Sequence, residues 1–166
     1  ALLPGKLLAI PVAIADAEGF LVVDLKKCQG CGTCMMACAL AHSGIASYSL
    51  ARIQIQQDSF ADWPDDVSMA ICRQCQDAPC VTGCPVGALS RDEAKNRVEV
   101  DYDICIGCRT CVKVCPFGAM NYNVIDRKVA KCDLCDGDPQ CVRFCEVKAV
   151  EFVDGGDVSI QKKRDA

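Results

Sequence analysis

Cys28-Gln29-Gly30-Cys31-Gly32-Thr33-Cys34-Met35-Met36-Ala37-Cys38 and Cys105-Ile106-Gly107-Cys108-Arg109-Thr110-Cys111-Val112-Lys113-Val114-Cys115 are two copies of one pattern, Cys-x2-Cys-x2-Cys-x3-Cys. Each copy is paired with a looser variant, Cys72, Cys75, Cys80 and Cys84 in one case and Cys132, Cys135, Cys141 and Cys145 in the other. The four groups use all 16 cysteines of a 166-residue chain. Soft thiolates at this density and spacing point to iron–sulfur clusters. Three cysteines three residues apart wrap one corner of a four-iron cube. The fourth is carried away by the following turn and reaches a neighbouring cube. Cys84-Pro85 and Cys115-Pro116 add the closing Cys-Pro of such runs, where proline fixes the exit path of the loop.

Two other uses of sixteen thiols fit less well. Structural zinc sites usually separate two Cys-x2-Cys pairs by a longer loop, whereas here the third cysteine follows at once in two groups. Adjacent Cys-x2-Cys pairs are also poor partners for a disulfide framework, and the chain exceeds the size class that most needs one.

The composition agrees with a metal-built interior. The apolar fraction is 51%, but much of it is cysteine, and there are only 5 Phe, 3 Tyr and 1 Trp. Cluster ligation then supplies part of the core, and the metal-free chain is expected to be largely unfolded. A formal charge of -4 leaves no basic footprint for nucleic acid. Four cubes at about -2 each would make the molecule more acidic still. Ala1 to Ala17 is apolar but interrupted by Pro4, Lys6, Pro11 and Asp16, which leaves no stretch long enough to span a bilayer. The arm is read as a strand or coil over a core edge, or as a strap against a partner. The expected location is cytoplasmic.

Phe20 to Leu25, Arg52 to Gln56, Arg97 to Val100, Met120 to Tyr122 and Glu151 to Val153 read as short strands beside cysteine loops, and Val67 to Ile71 leads into the second group. Cys34 to Leu40 reads as a short helix, Asp62 to Asp66 as an acidic surface loop and Asp92 to Asn96 as a turn. No segment sustains the period of a long helix. The fold class expected is α+β: tandem bacterial-type ferredoxin-like modules around four cubane clusters.

Over roughly residues 20 to 153 the ordered cysteine pattern resembles the four-cluster ferredoxin-like electron-transfer subunits of larger redox enzymes. The resemblance implies crossed wiring. Cluster A takes Cys28, Cys31, Cys34 and Cys145; cluster B takes Cys132, Cys135, Cys141 and Cys38. Cluster C takes Cys72, Cys75, Cys80 and Cys115; cluster D takes Cys105, Cys108, Cys111 and Cys84. It divides the chain into an arm (1–19), a half holding A and B (20–48 and 116–153), a half holding C and D (49–115) and a tail (154–166). The short fourth group looks most like the compact subunits serving tungsten aldehyde oxidoreductases, benzoyl-CoA reductase, carbon monoxide dehydrogenase or soluble hydrogenases.

The leading expectation is therefore a non-catalytic subunit carrying four [4Fe-4S] clusters, linking the catalytic subunit of a tungsten aldehyde oxidoreductase-type enzyme to an external redox protein or flavoprotein subunit. The alternatives are the same role in the other complexes named, or a freestanding polyferredoxin. Stacking of successive copies is a further arrangement that the pattern allows. Lys27, Arg73, Arg109, Lys113 and Lys131 lie beside ligands and are read first as solvated surface cations. Glycines 30, 32, 83, 107 and 118 are read as making room for tight ligand loops. His42 is read as no ligand, because every cluster already has four sulfurs, and Trp63 as loop packing or an interface anchor.

Overall fold

The computed structural model describes residues 19–63 and 65–154. The arm up to residue 18, Pro64 at the centre of the acidic loop and the tail beyond residue 154 lie outside the described residues. The fold is α+β, built from small hairpins and short helices that alternate along the chain.

Among the described residues eight strands make four separate antiparallel pairs. Three pairs are hairpins between chain neighbours: β2 (Gln54–Gln57) with β3 (Val67–Ala70), β4 (Leu89–Asp92) with β5 (Arg97–Val100), and β6 (Asn121–Asn123) with β7 (Lys128–Ala130). The fourth joins the two ends of the described chain. In it β1 (Gly19–Val23) runs against β8 (Val150–Asp154) in a register from Gly19 opposite Asp154 to Val23 opposite Val150. Strands of three to five residues have little stability as isolated ladders, so what lies between the pairs must hold them.

The helices answer to the cysteines. α1 (Thr33–Ser43), α2 (Pro79–Thr82), α3 (Thr110–Val114) and α4 (Gln140–Arg143) each carry the third cysteine of a group as their second residue. They pack across groups, α1 against α4 and α2 against α3. That pairing brings the first group to the last and the second to the third.

The ligand loops share one backbone device. The residue just before the second cysteine has a positive φ in all four groups: Gly30 (66°), Gln74 (49°), Gly107 (66°) and Leu134 (61°). Glycine adopts this region freely, whereas other residues meet a penalty of about 1–2 kcal/mol. Leu134 is 1% exposed, and burying a leucine contributes about 1.5–3 kcal/mol, enough to offset the strain. At Gly107 no such exchange is open. A Cβ there would meet the Arg127 carbonyl oxygen at 2.1 Å. Gly83 makes room without a left-handed backbone: its φ of -84° is helical, and a Cβ there would meet the Pro79 carbonyl oxygen at 2.9 Å.

Among the described residues three apolar clusters flank these loops, the smallest being Val67 and Ala149 around Cys28. The first gathers Leu21, Met35, Ala39, Leu50, Ile53, Ile71, Leu134 and Val150 around Cys34, Cys38 and Cys141. The second gathers Ala78, Leu89, Val98, Met120 and Val129 around Cys111. Ile53 and Ile71 flank the β2–β3 hairpin, and Met120 and Val129 belong to the β6–β7 region, so each core draws on both the first-and-last and the middle stretches of chain. Among the described residues no helix is long and apolar enough to cross a membrane.

Candidate metal centres

All sixteen cysteines are free thiols, and the fold collects them in fours. Cys72, Cys75, Cys80 and Cys115 line one cavity, walled by Ala78, Val98, Ala119 and Met120. Cys84, Cys105, Cys108 and Cys111 line a second, walled by Leu89, Val100 and Val129. Cys38, Cys132, Cys135 and Cys141 line a third, with Leu21, Ile53 and Leu134. The last four cysteines are neighbours too, for Cys28, Cys31 and Cys145 are the thiols that act electrostatically on Cys34. Each gathering holds three cysteines of one group and one from another.

Sulfur quartets in apolar cavities fit a thiolate-bound cluster in donor chemistry and in surroundings. The cavities desolvate their thiols. Burial, reinforced by neighbouring sulfurs, pushes Cys34, Cys111 and Cys135 up to about 11 and Cys141 up to about 12. Desolvation likewise raises Cys132, Cys38 and Cys80. A proton held this firmly must be displaced by metal.

Donors aimed at sulfur act the other way. The backbone N–H groups of Arg52, Ala88 and Ala149 donate to Cys38, Cys84 and Cys145 at 3.3, 3.2 and 3.2 Å. The hydroxyls of Thr33 and Thr110 lie 3.4 Å from Cys31 and Cys108 and hold both thiols below their ordinary range. At Cys84 desolvation is outweighed by backbone N–H groups from Val86 to Leu89. Such contacts stabilise negative charge on sulfur and tune a bound metal. The two threonines were overlooked in the sequence. The signal was there, because Thr precedes the third cysteine in both regular runs.

The cations beside ligands divide into three kinds. Lys27 is half-exposed and pairs with Asp24 at 3.4 Å and Glu151 at 3.7 Å, and Lys113 is exposed. Arg73 and Arg109 are exposed but stacked, on Phe117 at 4.4 Å and Tyr122 at 3.8 Å, which ties two ligand loops to chain beyond Cys115. Lys131 corrects the surface reading, being only 2% exposed.

His42 also has a place the sequence did not reveal. It lines the cavity of Cys38, Cys132, Cys135 and Cys141, and it offers a nitrogen within 4.8 Å of ligand atoms of Asp133 and Cys135. Asp133 accepts from the Arg52 guanidinium and from the Cys135 N–H at 3.0 Å. Burial, then the Arg52 charge, holds His42 below the usual histidine range, so the ring is neutral near pH 7. Trp63 is 66% exposed and Phe60 fully so, which places both on the surface of the acidic loop.

Comparison with known proteins agrees with this chemistry. Residues 66–155 match the 4Fe-4S dicluster domain family, and residues 25–41 match a 4Fe-4S binding domain. The chain is 36% identical to the electron transport protein HydN of Escherichia coli over 174 aligned positions, covering 87% of this chain and 95% of that protein. It is 38% identical over 138 residues to the beta subunit of the NADH-dependent phenylglyoxylate dehydrogenase of Aromatoleum evansii; the match covers 82% of this chain and only 30% of that subunit. A looser likeness, with a TM-score of 0.49 and 20% identity over 81% of this chain and 78% of the other, is to a chain of the active-site complex BamBC of benzoyl coenzyme A reductase. At that level it carries no functional weight. The chain belongs to the 4Fe-4S dicluster domain family, among ferredoxin-like iron–sulfur proteins that carry electrons and are not themselves catalysts.

Proposed function

We propose that this chain is the electron-transfer subunit of an oxidoreductase complex and holds four [4Fe-4S] clusters with crossed ligands. Cys28, Cys31, Cys34 and Cys145 would hold cluster A, and Cys132, Cys135, Cys141 and Cys38 cluster B. Cys72, Cys75, Cys80 and Cys115 would hold cluster C, and Cys105, Cys108, Cys111 and Cys84 cluster D. The observation that carries this reading is the lining of three cavities by one such quartet each. When bound, the clusters supply reversible one-electron storage. Segments 20–48 and 116–153 would carry A and B, and 49–115 C and D, interlocked by the two larger shared cores.

The electrostatic couplings between quartets support a linear order. Cys34 acts on Cys141, which links A to B, and Cys72 acts on Cys132, which links B to C. C and D exchange their fourth cysteines. Cys31 and Cys108 are the two exposed cysteines, one in each outermost quartet. Electrons would therefore enter and leave near these two residues.

On the partner, similarity to a dehydrogenase subunit and to a dedicated electron transport protein supports a range of oxidoreductase complexes better than the tungsten aldehyde oxidoreductase put first on sequence grounds. A large catalytic subunit at one end and an external redox protein at the other, in the cytoplasm, complete the proposal. The freestanding carrier is the second reading, favoured by similarity over nearly the whole of HydN. The test is anoxic purification from the native source, with identification of copurifying chains and assay of iron, sulfide, tungsten and molybdenum. A stoichiometric larger subunit is the expected result. A lone iron-loaded chain would overturn the fixed-subunit reading in favour of the carrier.

A further inference from the structure

Lys131 is buried to 2% exposure and forms no salt bridge among the described residues. Its Nζ donates to two neutral acceptors, the Gln74 side-chain oxygen at 2.8 Å and the Cys132 carbonyl at 2.9 Å. The other buried cations nearby are matched. Arg52 has Asp133, and Arg97 has Glu99 and Asp136. An ammonium withdrawn from water without an anion is strongly unfavourable, so a counter-charge must come from somewhere.

The surroundings show where. Lys131 lines the cavity of Cys72, Cys75, Cys80 and Cys115, and it directly precedes Cys132 of the neighbouring quartet. Its charge acts on sulfurs of both, opposing the desolvation that dominates at Cys80 and Cys132. Cys72 of the one quartet also acts electrostatically on Cys132 of the other, so the two are coupled across this junction.

Gln74 fixes the lysine in place. It is 1% exposed and sits in the Cys72–Cys75 loop with a φ of 49°. Its Nε2 donates to the Cys132 carbonyl at 2.9 Å, while its Oε1 accepts from the Val98 N–H at 3.0 Å as well as from Lys131. Arg91 holds the same loop by donating to the carbonyls of Gln74 and Cys75 at 3.1 and 2.7 Å. One loop of each quartet is thus stitched to the other through a buried amide and a buried ammonium.

We infer that Lys131 is the shared counter-cation of the two inner quartets, held by Gln74 at the B–C junction so that an electron is stabilised there relative to the outer quartets. The inference rests on the cluster reading above. A fixed positive charge between two anionic centres favours their reduced forms. Among the described residues the outer quartets have no buried equivalent, since Lys27, Arg109 and Lys113 are exposed.

The test is a redox titration of the anoxically purified complex, read by electron paramagnetic resonance, in the wild type, Lys131→Met and Lys131→Arg. Iron and sulfide are assayed in each. With iron content intact, Lys131→Met should shift the reduction equilibrium of two clusters at least tenfold towards oxidised, about 59 mV for one electron. The other two should stay in place, and Lys131→Arg should restore most of the loss. Unchanged potentials at full iron content would overturn the inference, as would an equal shift of all four. Should the variants lose iron, wild-type protein carrying ε-15N lysine decides by pulsed resonance. One lysine side-chain nitrogen coupled to the reduced inner clusters is expected, and no coupling would overturn the assignment. A wild type with no iron would instead sink the cluster reading itself, an outcome separable from both.

Discussion

The Nε2 of His42 lies 3.4 Å from the sulfur of Cys135, a contact between the last turn of α1 and the ligand loop of the fourth group. With its proton on Nε2, the neutral ring donates one N–H, and Cys135 sulfur and the Asp133 carboxylate, 3.5 Å away, compete for it. A donor to a ligand sulfur favours the reduced cluster. His42→Phe should lower the potential of cluster B by roughly 40 mV, the equivalent of one hydrogen bond of about 1 kcal/mol. A spectroscopic redox titration reads this directly. An unchanged potential would mean that the proton points to Asp133 alone.

Gly107 admits no side chain. Gly107→Ala combines an unfavourable left-handed backbone, about 1–2 kcal/mol, with overlap onto a backbone carbonyl that has no rotamer to escape into. The variant should melt well below the wild type under argon and lose iron first from the quartet containing Cys105 and Cys108. Gly87→Ala is the matched control. It too has a positive φ, of 67°, but a Cβ there meets nothing within 4 Å, so it should show the backbone penalty alone.

Loading should depend on pH. Cys34, Cys111 and Cys135 sit near 11 and Cys141 near 12 because burial disfavours their thiolates. Below those values the thiols carry protons, and cluster binding must release them. The yield of anoxic reconstitution with iron and sulfide should therefore rise from pH 6.5 to pH 8.5. Proton release measured in weak buffer checks the sign. A yield that falls over this range would contradict it.

Crossed ligation makes a sharp claim at Cys115. This residue follows the third group in sequence but lines the cavity of Cys72, Cys75 and Cys80. Cys115→Ser should alter the spectrum and potential of the cluster bound to the second group. The cluster bound by Cys105, Cys108 and Cys111 should keep its signal. The reverse result would establish local wiring.

The cysteine spacing made the chemistry and the tandem organisation legible, because ligand geometry leaves few ways to place three sulfurs around one cube. Strand positions followed from runs such as Phe20-Leu21-Val22-Val23, with ends shifted by a residue or two. β3 (Val67–Ala70) was not assigned as a strand, and β4 and β7 escaped notice, since Leu89–Asp92 and Lys128–Ala130 are too short and too polar to show alternation. Burial of single charges was illegible. Lys131 beside Cys132 looks like any surface lysine until Gln74, 57 residues away, is folded against it. His42 was set aside because the ligand count was full, yet a donor to sulfur needs no vacancy in the ligand set.

The central claim is that four sulfur quartets hold four cubes in one chain. Iron and acid-labile sulfide per polypeptide, measured on protein purified without oxygen, test it most directly. The account predicts about sixteen of each. Zinc at about four per chain with no labile sulfide would contradict it, because tetrahedral zinc uses four thiolates and no inorganic sulfur.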